Sequence, residues 1–314
     1  MDVISCECCG TVVDPTVIAV KRGYCFRRCA SCGLTFVHPQ PDSSALARLY
    51  SGTNGYYRTA VRNLECTSNS EAIWLNGVVT KSGIQPGAFL DVGCSTGSLM
   101  FHLQRLGWSV SGLDMNPEAV TIATDSGLCA RVGELRQDLE VGGPFDVAHL
   151  ADVLEHVPSP KSTLLAVRRQ LRKGGLVILR LPNGACGFAA ATLAASRLLG
   201  GSWMYSEAPY HLFEFTLQSL SELLSQVGFE VLEAKAGGRL SFPYVVGASG
   251  HFDDLKVLLK SSGNYRLKVG LVPKSPKLAA VSALLAPLYA YGLIYDRLHG
   301  TYPRLVVIAR KSSA

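Results

Sequence analysis

The chain has 314 residues, of which 48% are hydrophobic and 17% charged, and it carries a net charge of +6. That length and composition exclude wholesale disorder and allow one large α/β domain with a small appendage. The basic residues are scattered, which suits an anionic small molecule and offers no run of the kind a nucleic-acid arm needs.

The opening stretch MDVISCECCG has neither the cationic nor the apolar run of a secretory signal, so the expected compartment is the cytoplasm. Six of the ten cysteines fall within the first 32 residues. Without a secretion signal, such clustering argues for a metal site before disulfides. The pattern is Cys6-x-x-Cys9 followed by Cys29-x-x-Cys32. A two-residue gap lets both sulfurs of a pair point at one ion, and two pairs can close a tetrahedron around Zn²⁺. Cys8 and Cys25 are spare thiols that could replace a neighbour. The expected role is structural: a closed four-thiolate site leaves no open position for substrate, and metal binding would supply the folding energy of a ribbon over 1–38.

Residues 39–67 form a linker marked by Pro39 and Pro41, with Tyr50, Tyr56 and Tyr57 placed to pack or to close over a ligand. From residue 68 onward helical and strand periods alternate. SEAIWLNGVVTKSG reads as a helix, AFLDVGC as a buried strand, and STGSLMFHLQRLG as a helix. SVSGLDM is a second strand, NPEAVTIATDSG a helix with Pro117 in its first turn, and LCARVG a weaker third strand. FDVAHLADVLEHV is a fourth strand running into a loop. PKSTLLAVRRQLRKGG is a helix stopped by Gly174 and Gly175, and LVILRLPN is a fifth strand. LQSLSELLSQVG is a helix, FEVLEAKAG a sixth strand and RLVVIARK the last. Residues 241–300 would project between those two strands as a helical lid. Their stretch 278–295 is apolar enough to raise a membrane span, but Pro287 interrupts it, and a lid or buried helix is expected instead. The fold class is α/β, a doubly wound, mostly parallel seven-stranded sheet over 68–314.

Ligands of such sheets bind at the carboxyl ends of the strands. Gly93 and Gly97, in DVGCSTGSL, lack the Cβ that would bar a close ligand or a positive φ. Asp91, two residues before the first glycine, would repel a pyrophosphate and suit a cationic ligand. Asp114 ends the second strand, where an acid accepts hydrogen bonds from a ribose diol. The ligand expected is an adenosine bearing a positive group and no phosphates.

DVGCSTGSL, GLDMNPEAV, FDVAHLADVLEHV, LRKGGLVILRLPN and YHLFEFTLQSLSELLSQVGFE, in that order, resemble a class I S-adenosylmethionine-dependent methyltransferase, in the small-molecule group with an N-terminal zinc ribbon. The resemblance implies a Rossmann-like fold and S-adenosylmethionine as cofactor. It puts Asp91, Gly93, Cys94 and Gly97 around the methionine portion, Asp114 on the ribose and Met115 beside the adenine. Gly133 and Glu134 would border the adenine, Ala151 and Asp152 the sulfonium end, and Tyr57 the cofactor. Some ubiquinone-pathway O-methyltransferases have a similar E-x-x-E-H run and are thought to use a divalent metal, which Asp152, Glu155 and His156 could gather here.

A hydroxyl acceptor needs its proton removed. His211, in APYHLFEFT, is the favoured base, with His156 next, and Trp203, Tyr205, Tyr210, Phe213 and Phe215 would shape the acceptor pocket. The acceptor expected is a small molecule, an oxygen on a sugar, natural product or glycan precursor. Carbon or nitrogen methylation is the alternative. A reading from another class takes the ribbon's basic, aromatic KRGYCFRRCA as a nucleic-acid module with a degenerate domain behind it, against which the intact cofactor loop speaks.

Overall fold

The computed structural model of the protein describes residues 4–14, 16–42, 44–46, 68–136, 141–199, 202–238 and 276–312. Its centre is a seven-stranded sheet in the order β10-β11-β8-β7-β4-β5-β6. These strands are β4 (Ala88–Val92), β5 (Ser109–Asp114), β6 (Cys129–Val132), β7 (Phe145–Ala151), β8 (Leu171–Pro182), β10 (Phe229–Gly237) and β11 (Arg304–Lys311). β8, β7, β4, β5 and β6 run parallel, while β11 lies antiparallel to both β8 and β10.

Strand alternation decides what each face receives. In β4, Phe89 packs with α1 (Ser68–Lys81) and α2 (Ser98–Arg105), against Leu75, Val79, Met100 and Leu103. Its neighbours Leu90 and Val92 face the opposite way. There they join Leu164 and Val167 of α4 (Pro160–Gln170) and Leu220 and Leu223 of α6 (Leu217–Gln226). Both faces are covered, so the middles of β7 and β8 are apolar runs, Val147 and Ala148 in one and Leu176 to Leu179 in the other. α3 (Pro117–Asp125) packs beside β6 and β5 and is capped by the Asn116 side chain, which accepts from Ala119 N.

β8 begins at Leu171, so the expected glycine stop of the preceding helix is absent: α4 ends at Gln170 and Gly174–Gly175 lie inside the strand. A Cβ on Gly175 would sit 3.1 Å from the Asp146 carbonyl oxygen. The glycine lets β7 and β8 approach there, and the ladder shifts register between Phe145 and Val147.

One element escapes the sequence pattern: α5 (Gly187–Leu199), which follows β8. The helix expected over 278–295 is α7 (Pro276–His299), which crosses α5 where Gly187 and Gly292 bring the two backbones together. The buried Asp296 carboxylate accepts from Gly187 N at 2.6 Å, a charge placed at the positive end of α5. Among the described residues no helix is long and apolar enough to cross a membrane.

The N-terminal segment builds a second sheet, in the order β1-β2-β3-β9. A hairpin of β1 (Ala19–Lys21) and β2 (Tyr24–Arg28) leads to β3 (Thr35–Val37). β3 pairs with β9, the dipeptide Phe213–Glu214 of the main chain body, through Thr35↔Glu214 and Phe36↔Phe213. Three further bonds fasten the junction: Val37 N donates to Leu212 O, Thr216 Oγ1 to Cys32 O, and Gln218 Nε2 to Ser31 O.

Candidate active site and cysteine cluster

At the carboxyl end of β4 the chain turns sharply into α2, with Gly93 at φ 78° and Gly97 at φ 77°. Both glycines are required, partly for a reason the sequence does not show. A Cβ on Gly93 would strike Val153, and one on Gly97 would strike Leu128 and lie 3.1 Å from Ala123. The space they leave is filled by the protein's own side chains, which pull the loop tight over the sheet edge.

The turn walls a cleft of about 230 Å³, and Asp91, Gly93, Cys94, Ser95, His149 and Ala151 are among the residues that line it. Asp91 is buried and shares the face of Phe89, the α1 face. His149 lies in register with it on β7, and its Nδ1–H donates to Asp91 Oδ1 at 2.9 Å. His149 Nε2 stands 3.8 Å from Glu71 Oε1 on α1, and Glu71 is paired in turn with Arg180 of β8. The cleft floor is thus a row of alternating acids and bases in which Asp91 is oriented by a buried imidazole. His149 and Glu71 are the residues sequence reasoning missed.

Asp114 ends β5, its carboxylate accepting from Ser95 N and Asn116 N, both at 2.8 Å. Burial pushes its pKa up, against the pull of those two amides. The acid therefore ties the glycine turn to the end of the second strand, next to Ser95 of the cleft wall but not itself among the lining residues. Gly133 N donates to Asp114 O, which places Gly133 and Glu134 beside it, and Met115 lies half-exposed at the rim. Tyr57 lies outside the described residues, as do Tyr50 and Tyr56. Asp152, at φ 54°, does not line the cleft: its carboxylate is clasped by Arg304 at 2.8 Å through both oxygens.

A second cluster lies past the end of β7. Glu155, His156 and His211 offer ligand atoms all within 4.8 Å of one another, and Glu214 Oε1 stands 3.7 Å from His211 Nδ1. Glu155 and Glu214 are each 1% exposed, and none of their four carboxylate oxygens has a hydrogen-bond partner among the described residues. The two imidazoles meet edge to face at 4.8 Å. Burial pushes Glu155 up to about 8, with the Asp152 charge adding to it. Burial also pushes His156 down to about 4, with the His211 charge adding. Burial acts to lower His211 too, but the Glu214, Glu207 and Glu155 carboxylates overcome it and hold it at about 9. At neutral pH the charge therefore sits on His211. His156 stays neutral with Nδ1–H donating to Tyr210 O at 2.8 Å, which leaves the lone pair on Nε2. This cluster can store and move a proton, and its orphaned carboxyl oxygens are hard donors of the kind a divalent cation takes.

In the ribbon, Cys6, Cys9, Cys29 and Cys32 converge, with Cys6 Sγ 3.6 Å from Cys32 Sγ and Cys9 Sγ 3.5 Å from Cys29 Sγ. A tetrahedron with Zn–S bonds of about 2.3 Å has sulfur–sulfur edges of about 3.8 Å, so the four thiols fit that ion. Cys8 and Cys25 stand outside the group.

Residues 74–234 match a family described as "Methyltransferase domain". The chain belongs to that family. Its seven-stranded sheet is the Rossmann-like fold of solved methyltransferases. The chain is similar to the ubiquinone biosynthesis O-methyltransferase of Colwellia psychrerythraea, with 32% identity over 136 residues, 41% of this chain and 55% of that protein. It spans about half the length of the curated relatives it matches. Among solved structures it resembles the cyclase SpnF (TM-score 0.53, 17% identity, 88% of this chain and 99% of that one). It also resembles the Burkholderia thailandensis 1,6-didemethyltoxoflavin-N1-methyltransferase with bound S-adenosylhomocysteine (TM-score 0.51, 15% identity, 94% and 98%). Because one of these neighbours is named a cyclase, the shared fold alone does not set the reaction, and the site must argue it.

Proposed function

We propose that the protein transfers the methyl group of S-adenosylmethionine to a hydroxyl oxygen of a small-molecule acceptor. The observation that carries this reading is the pair of buried acids, Asp91 and Asp114, at the carboxyl ends of adjacent parallel strands β4 and β5. Two acids suit a ligand with a cationic sulfonium and amine and a ribose diol, and disfavour a pyrophosphate. When bound, the cofactor supplies an electrophilic methyl carbon. The protein's own contribution is placement: the glycine turn fixes the depth of the cleft, His149 holds the Asp91 carboxylate, and Asp114 would accept from the ribose.

The hydroxyl proton passes to the His156–His211 cluster. His211 is the base expected from the sequence, but its neighbouring carboxylates hold it protonated while burial keeps His156 neutral, and this electrostatic difference supports His156 as the acceptor of that proton. The similarity to a ubiquinone biosynthesis O-methyltransferase supports oxygen as the atom methylated. Calorimetric titration with S-adenosylmethionine tests the reading: the zinc-loaded chain binds it, and binding of NAD⁺ in its place would overturn the assignment.

A second reading gives the cluster a divalent cation, held by Glu155, His156 and His211 with Glu214 beside them. The four orphaned carboxylate oxygens favour it. Such an ion supplies Lewis-acid polarisation of an oxygen. Elemental analysis separates the readings. Two metal equivalents, falling to one in Glu155→Gln, support the cation; one equivalent in both proteins removes it.

A further inference from the structure

We propose that the partly open cavity between the ribbon sheet and α5 is the acceptor's seat, built for a single-ring carboxylic acid whose carboxylate is held at the mouth by the exposed Arg28. This rests on the reading of the chain as a methyltransferase with a small-molecule acceptor.

The cavity holds about 180 Å³, and its lining includes Arg28, Thr35, Gly184, Leu193, Trp203 and Tyr295. Its location suits an acceptor. Gly184 follows the carboxyl end of β8, the strand beside β7, whose terminal Ala151 lines the cofactor cleft. Neighbouring strands are roughly 4.8 Å apart, so the two ligands would lie over adjacent strand ends. A Cβ added to Gly184 would come within 2.8 Å of Glu214 Cβ, and Glu214 stands 3.7 Å from His211. One wall of the cavity is therefore backed by the cluster that handles the proton.

Size and chemistry narrow the occupant. An apolar cavity of roughly 150 Å³ takes up benzene, so this one accommodates one six-membered ring with a small substituent. Trp203 and Tyr295 bring aromatic side chains to the lining, and alanines of α5 add to its apolar part. Arg28 gives the lining one cation and no acid, and among the described residues its guanidinium makes no ion pair. A planar guanidinium matches a carboxylate through two parallel hydrogen bonds. Both polar ribbon residues are fixed by their strands: Arg28 pairs with Thr35 in the β2–β3 ladder, and Thr35 pairs with Glu214. The ribbon thus forms part of the acceptor site, in addition to any stabilising role of its metal.

The test titrates benzoate and its neutral isostere benzamide into the full zinc-loaded chain, read by saturation-transfer NMR and by quenching of indole fluorescence. Benzoate binds about tenfold more tightly than benzamide, and Arg28→Gln removes that preference. Ala190→Phe, which fills the cavity, blocks both probes. Calorimetry with S-adenosylmethionine, run on each variant, shows that the fold and the cofactor cleft are intact. Equal binding of benzoate and benzamide overturns the proposal, as does a benzoate preference that survives Arg28→Gln. If benzoate binding behaves as expected but S-adenosylmethionine does not bind, the cavity stands and the methyltransferase reading fails. The converse result sinks the cavity alone.

Discussion

Asp114→Asn separates two duties of one carboxylate. The acid accepts from Ser95 N and Asn116 N, so both oxygens are engaged by backbone donors before any ligand arrives. Asparagine keeps the shape but offers a single oxygen, and its amide nitrogen must then face an N–H. One backbone donor is left unsatisfied in a buried site, at a cost of about 1.5–3 kcal/mol. The variant also loses the charged acceptor for the ribose, which is worth a similar amount and corresponds to a fall in affinity of roughly 10- to 150-fold. Urea denaturation reads the first effect and calorimetry with S-adenosylmethionine the second. An affinity within about twofold of the parent, in a variant that has lost stability, would refute the ribose role and leave Asp114 as a tie between strands only.

Gly97→Ala forces a side chain into the left-handed region and onto Leu128; strain of about 1–2 kcal/mol and overpacking of about 1–3 kcal/mol lower the urea midpoint, and an unchanged midpoint refutes the packing role. Zinc content measured by atomic emission is at least one equivalent per chain, and Cys29→Ser combined with Cys32→Ser loses one; retention of all zinc in the double variant disproves the four-thiol site. His211, raised to about 9, contributes stability that is fully present below pH 6.5 and lost as pH rises through 9, and Glu155, raised to about 8, acts in the same direction above pH 4.5. His156, lowered to about 4, contributes stability that is present above pH 6.5 and lost as pH falls through 4. Imidazole proton resonances followed against pH give the two midpoints directly, and coincident midpoints near 6.5 would contradict the cluster's electrostatics.

The cofactor end of the site was legible because its signals are local. A strand, a glycine turn and a helix punctuate residues 88–105, and an acid at the next strand end follows at fixed spacing. His149 was not legible: it lies mid-strand in an apolar run, and only the β4–β7 register sets it opposite Asp91. β9 is two residues long and exists because β3 pairs with it, so no propensity announces it. α5 is rich in alanine and buried only over its first two turns, ending in exposed Arg197 and Leu198, and sequence reasoning found no cap or periodic signal in its stretch. The glycine pair after α4 reads as a stop signal in isolation, yet Gly175 is demanded by a neighbouring strand's backbone and Gly174 by a positive φ inside the strand. The histidines were found as residues, but their order of basicity depends on Glu214 and Glu155, brought together by tertiary packing.

The seam between β3 and β9 bears on how this polypeptide is made and cut. Phe36 leaves the ribosome early and waits for Phe213, so the four-stranded sheet cannot close until most of the α/β body has been synthesised. An expression clone trimmed to residues 74–234 would strip Glu214 of its partner strand and open a raw edge next to two buried acids.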